Sequence, residues 1–145
     1  MLVALVDTLK QLRYQIAHLD DGTLNSEYPE LATFIQQVAL TVTESESDLK
    51  FLYQFLYVYG RKSEATYSRF RNELERFYLW SWLIGEKSVF ELKREDIEAY
   101  VDFMVEPDKK WASKSVQWRY KDEQGIRRLN QNWRPFMLKE SIASQ

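Results

Sequence analysis

The chain has 145 residues, with 20 Lys and Arg against 22 Asp and Glu, a net charge of −2, and no cysteine. That length carries one domain, or one domain with an appended segment, around a real hydrophobic core. The missing cysteines exclude a disulfide framework and any thiolate metal site, and no apolar run nears the ~20 residues that cross a bilayer. The opening stretch MLVALVDTLKQLR has an early Asp7 and lacks a basic leader, which argues against a signal peptide and for a cytoplasmic protein.

Charge is unevenly distributed. Residues 1–60 hold 3 Lys and Arg against 8 Asp and Glu, residues 61–106 hold 8 against 10, and residues 107–145 hold 9 against 4. The chain is thus acidic at its start and basic at its end.

In chain order, Leu2, Leu5, Leu9, Leu12, Ile16 and Leu19 recur at alternating steps of three and four. This predicts one amphipathic helix over residues 2–19, stopped at Asp20-Asp21-Gly22. The stripe is too short for a coiled coil, and it packs either on the chain's own core or on a second protomer. Thr23 to Tyr28 reads as a loop. Pro29 suits a first helical position, and Leu31, Phe34, Ile35, Val38 and Val42 share a face. The β-branched run Thr41, Val42 and Thr43 weakens the end of that helix. Acidic Glu44 to Asp48 marks a boundary between an N-terminal helical extension over 1–47 and a domain over 48–145.

A helix from Asp48 carries Leu49, Leu52, Phe55, Leu56 and Tyr59 inward and ends at Gly60. Arg61 and Lys62 follow, then Ser63, placed to cap a helix of about Ala65 to Leu83 with Tyr67, Phe70, Leu74, Phe77 and Tyr78 on one face. Apolar Trp80, Trp82, Leu83 and Ile84 surround its end, which should be its most buried part, and Gly85 stops it. The next helix shows Ile97, Tyr100, Val101 and Met104 on one face and Glu95 and Asp96 in its first turn, and Pro107 stops it. Beyond it, Val116, Trp118 and Tyr120 alternate with Gln117 and Arg119 as a short extended piece, and Asp122 to Gly125 reads as a turn. Leu138 to Gln145 holds helix-forming residues.

The order of these features resembles the N-terminal core-binding domain of tyrosine recombinases (phage-type integrases), from Asp48 to the C-terminus. The family pattern Ser-x-x-Thr-x-x-x-aromatic-x-x-x-Leu-x-x-Phe is met by Ser63, Thr66, Phe70, Leu74 and Phe77. Its Leu-x-x-x-Asp-Ile-x-x-Tyr helix is met by Leu92, Asp96, Ile97 and Tyr100, and the Trp-Arg-Pro-Phe element of one branch by Trp133, Arg134, Pro135 and Phe136. One departure is Lys93, where the family usually has a capping Thr. The resemblance implies an all-α fold, a small helical bundle of the recombinase core-binding (SAM-like) type with extra N-terminal helices and a last helix that is cut short. It also implies duplex DNA as partner, approached through the junction at Arg61, Lys62, Ser63, Thr66 and Arg69, in a protein of DNA integration and recombination.

In that family the catalytic residues belong to a separate C-terminal domain. His18, the only histidine, lies near Asp20 and Asp21 with no arginine cluster beside it. Nine tyrosines offer phenols, but a phenol of pKa ~10 needs positioned cations before it attacks a phosphate. No metal-ligand spacing, Gly-rich phosphate loop or Ser-His-Asp set is present, so the chain reads as a non-catalytic binding domain with no cofactor, metal or small-molecule substrate. Lys114 and Arg119 join the candidate DNA contacts from a second cationic set that includes Lys121, Arg127, Arg128 and Arg134. Such groups grip phosphates and fix register more than sequence.

Each candidate also has a plainer reading. Ser63 caps a helix, Thr66 faces its own backbone, Arg71 pairs with Glu75 at i,i+4, and the tryptophans Trp111, Trp118 and Trp133 are core. Trp133 and Phe136, beside Pro135, read as core. The alternative function is a helical interaction module that self-associates through the 2–19 stripe, which the acidity of the first 60 residues favours.

Overall fold

A computed structural model describes residues 2–138. Its helices are α1 (Leu9–His18), α2 (Thr23–Glu27), α3 (Pro29–Val38), α4 (Ser45–Gly60), α5 (Glu64–Leu83) and α6 (Arg94–Val105). Four short strands follow, β1 (Ala112–Ser113), β2 (Tyr120–Glu123), β3 (Ile126–Leu129) and β4 (Phe136–Met137). The helix-forming stretch anticipated from Leu138 onward lies, beyond its first residue, outside the described residues.

The all-α expectation is corrected by the two sheets after Pro107. β2 and β3 form an antiparallel hairpin with Tyr120 opposite Leu129, and β1 runs parallel to β4 with Ala112 opposite Phe136. Gln124 and Gly125 turn the hairpin at φ of 54° and 86°. Two successive positive values are what a tight type I′ loop requires, and glycine adopts one without steric cost. The residues after Pro107 have no helical apolar stripe to bury. Instead, Tyr120 and Leu129 reach the core from facing positions of the hairpin.

The spine is the antiparallel pair α4 and α5. Gly60, the last residue of α4, packs against Tyr67 of α5, whose Cα would lie 3.4 Å from a Cβ placed there. At the other end of the pair, the buried Asp48 carboxylate accepts from Trp82 Nε1 at 3.0 Å, Ser88 Oγ at 2.8 Å and the Val89 amide at 3.1 Å. Three donors compensate the loss of water around that charge and tie the start of α4 to the end of α5. The expected burial of the end of α5 is found at Tyr78 to Trp82, although Ile84 is half exposed. Lys93 is offset by Asp96, whose carboxylate accepts from the Lys93 amide and from Lys87 Nζ, each at 2.9 Å. The Lys93 amide first, and then Lys87, hold the Asp96 carboxyl below its ordinary pKa.

The helix expected over residues 2–19 begins only at Leu9, capped by Thr8, and Thr23–Glu27 forms a short helix in place of a loop. Val3, Ala4, Leu5 and Val6 lie outside any helix or strand and are 0% exposed. Side chains, not a neighbouring strand, bond the backbone from the Ala4 carbonyl to Asp7. The Leu5 and Val6 amides donate to Glu75 Oε2 at 2.7 and 3.1 Å, and the Asp7 amide donates to Gln15 Oε1 at 3.1 Å. Tyr120 donates to the Ala4 carbonyl, Tyr53 to Leu5 at 2.6 Å and Tyr67 to Asp7 at 2.8 Å. The parts read as 1–47 and 48–145 therefore share one core, in which Leu5, Leu12 and Leu31 join Leu52, Leu56 and Tyr67.

The uneven charge of the sequence is resolved by the same packing. Arg127 Nε and Nη2 donate to the two oxygens of Asp7 at 2.9 and 3.0 Å, Arg128 pairs with Glu30 at 3.4 Å, and Arg119 pairs with Glu75. Asp7 and Glu75 are each 1% exposed, and an unpaired carboxylate at that depth costs several kcal/mol. The basic end of the chain thus neutralises carboxylates that the fold buries.

Candidate nucleic-acid interface

The junction between α4 and α5 is short, because α4 ends at Gly60 and α5 begins at Glu64. Arg61 and Lys62 occupy the turn and are exposed. Ser63 caps α5, accepting from the Thr66 amide at 3.0 Å and donating to Thr66 Oγ1 at 2.9 Å. One hydroxyl therefore organises the helix start, while the Thr66 hydroxyl keeps its own proton for an outside acceptor. Arg69, exposed one turn on, lies with its Cζ 5.9 Å from the Phe70 ring. A helix start of this kind presents unsatisfied amides and positive potential to an anion.

Two residues that the sequence did not single out complete this surface. Arg13, from α1, donates Nη2 to the Tyr57 hydroxyl at 3.0 Å, and the Arg61 guanidinium lies 4.6 Å from the Tyr57 ring centroid. Arg13 first, with Arg61 also contributing, lowers the Tyr57 pKa from its ordinary value. Among the described residues, none of Arg13, Arg61, Lys62 and Arg69 pairs with a carboxylate. No local pattern could have found Arg13, since it is brought to Tyr57 across 44 positions of sequence by the packing of α1 on α4.

The second cationic set is divided. Lys114 and Lys121 are exposed. Arg119 is turned inward, 11% exposed, and bonds to Glu75, to Asn72 Oδ1 at 2.8 Å and to the Val6 carbonyl at 3.3 Å. It is not brought to the junction. Glu75 pairs with Arg119 and not with Arg71 at i,i+4. Trp111, Trp133 and Phe136 are core, whereas Trp118 is 52% exposed. His18 bonds to Asp21 through Nδ1 at 2.7 Å on the surface of α1.

Compared with family models, characterised proteins and solved structures, the chain has no match in any of the three. Among the described residues, no group of three or more His, Cys, Asp or Glu could hold a metal ion. No described helix is long and apolar enough to cross a membrane.

Proposed function

We propose that this chain binds duplex DNA through the α4–α5 junction, as the core-binding part of a site-specific tyrosine recombinase acting in the cytoplasm, with catalysis supplied by another domain. The observation that carries the reading is the gathering of Arg13, Arg61, Lys62 and Arg69 at the capped start of α5, with no carboxylate partner among the described residues. Arg119, Arg127 and Arg128 neutralise the chain's own acids, whereas the junction cations are left for an outside anion. The order of capped helix, apolar stripe and Asp-Ile helix on which the resemblance rests is also the order of α5 and α6. The alternative, self-association through the 2–19 stripe, loses ground because its residues Leu5 and Leu12 are fully buried in the chain's own core.

A salt titration of duplex affinity tests the proposal. Affinity should fall steeply with salt as counterions are released, and replacing Arg61, Lys62 and Arg69 with Ala should reduce the slope by about one unit per lost phosphate contact. Binding that ignores salt, or that the triple variant retains unchanged, refutes this assignment.

A further inference from the structure

The Trp-Arg-Pro-Phe element has no part in the surface just described. It forms one wall of a cleft of ≈ 240 Å³ against the middle of α5. Four arginines line this cleft, Arg71, Arg76, Arg119 and Arg134, and among the described residues no carboxylate does. Arg119 is paired with Glu75 beneath it, whereas Arg71, Arg76 and Arg134 have no acidic partner among the described residues.

Each of the three is anchored by neutral groups. Arg76 Nε donates to the Pro135 carbonyl at 2.7 Å, and its guanidinium lies 5.0 Å from the Phe136 ring. Arg134 Nη1 donates to the Gln131 and Trp133 carbonyls at 2.9 and 2.7 Å. Arg71 reaches Asn72 Oδ1 at 3.3 Å and lies 5.5 Å from the Tyr67 ring. A guanidinium has five N–H donors in a rigid fork, so one held along an edge or at a single nitrogen keeps donors for an oxyanion. Burial first, and then repulsion from Arg119, lower the Arg71 pKa from the ordinary arginine value, as expected of a cation packed beside another with too few anions.

We propose that this cleft binds a phosphate group, held by Arg71, Arg76 and Arg134 between α5 and the Trp133–Phe136 wall. Three guanidiniums on the walls of one cleft offer several N–H donors, and they suit a tetrahedral oxyanion, a phosphodiester as well as a phosphomonoester, whose oxygens they share. Arg71 follows Arg69 of the junction surface by two positions along α5, so the two sites adjoin, and variants that touch only one of them, Arg61 and Lys62 for the junction and Arg134 for the cleft, test them separately.

The test is a titration of the whole chain with inorganic phosphate at constant ionic strength, followed through the arginine Nε–H and tryptophan indole resonances. Saturable shifts at Arg71, Arg76, Arg134 and Trp133 are expected. Arg71→Gln should weaken binding by about tenfold or more, as loss of a charge-assisted bond does, with Arg71→Lys intermediate. Arg134→Gln, whose side chain serves no buried charge, is the second variant, and an unchanged thermal midpoint shows that each is folded. Absence of a saturable response in the wild type, or an equal response in folded Arg71→Gln and Arg134→Gln, overturns the proposal. Added duplex that suppresses the phosphate response identifies a DNA backbone phosphate as the ligand. Duplex that binds while the response persists identifies a free phosphate or phosphomonoester. A phosphate response in a chain that binds no duplex leaves the cleft standing and removes the DNA reading alone.

Discussion

Asp7 and Arg127 are 120 positions apart and meet in a two-bond ion pair, with Nε and Nη2 of the arginine on the two carboxylate oxygens. Tyr28 adds a bond to the same carboxylate at 2.8 Å. Because Asp7 is 1% exposed, Arg127→Ala leaves an uncompensated buried charge and should cost ~3–5 kcal/mol. The denaturant midpoint reports this, and pairing the change with Asp7→Asn should recover part of the loss.

Arg119 and Lys114 were grouped as DNA contacts by sequence, and the structure separates them. Arg119→Ala should destabilise the fold substantially, because Glu75 would remain buried with two backbone amides and no cation. Lys114→Ala should leave the thermal midpoint unchanged, as exposed substitutions usually do. Equal midpoints for the two variants would contradict the inward placement of Arg119.

Within α5, Leu79 is 0% exposed and Leu74 only partly buried. Leu79→Ala should cost ~2–5 kcal/mol, the usual range for a buried large-to-small change, and Leu74→Ala distinctly less. Denaturant unfolding of the two variants side by side gives the order, and the reverse order would place the buried face of α5 on the wrong side.

Burial raises the pKa of Tyr28, Tyr53, Tyr67, Tyr78 and Tyr120, and it pushes Tyr100 up to about 12. In the unfolded chain a tyrosine titrates near ~10. Above that pH the unfolded state binds fewer protons than the native state, so stability falls as pH rises. The contribution is complete below pH ~10 and is lost as pH climbs toward the native values. In the near-ultraviolet phenolate absorbance, Tyr57 should ionise first, and the buried group should ionise together with loss of helical circular dichroism. Buried phenols that ionise before the helices melt would contradict the packing.

The helices from Pro29 to Val105 were legible because their signals are local, although Tyr59, read as inward, is exposed. Pro29 opens α3 and Ser63 caps α5, each at the position its chemistry favours, whereas Gly60, read as lying just past the end of α4, is its last helical residue and Arg61 follows as the cap. The N-terminal segment was not legible. Leu2, Leu5, Leu9 and Leu12 keep helical spacing, but Val3, Ala4 and Val6 fill the intervening face, and a short run buried on all sides fits a strand as well as a helix. Glu75, Arg119 and Arg127 looked like surface charges because nothing in their neighbourhoods announces partners 44 and 120 positions away. The same holds for the interface, where Arg61, Lys62 and Arg69 follow from the motif and Arg13 does not.

Side-chain capture of residues 3–7 also has a consequence in time. Residues 3–7 leave the ribosome long before their enclosure exists, since Arg127 is translated 120 positions after Asp7. At about 5–20 residues per second that delay is roughly 6–24 s. During it the nascent chain carries an apolar segment whose amides await Glu75 and whose carbonyls await Tyr53, Tyr67 and Tyr120 in turn. Enclosure of this segment is therefore complete only once the β-hairpin, which supplies Tyr120 and Arg127, has been synthesised.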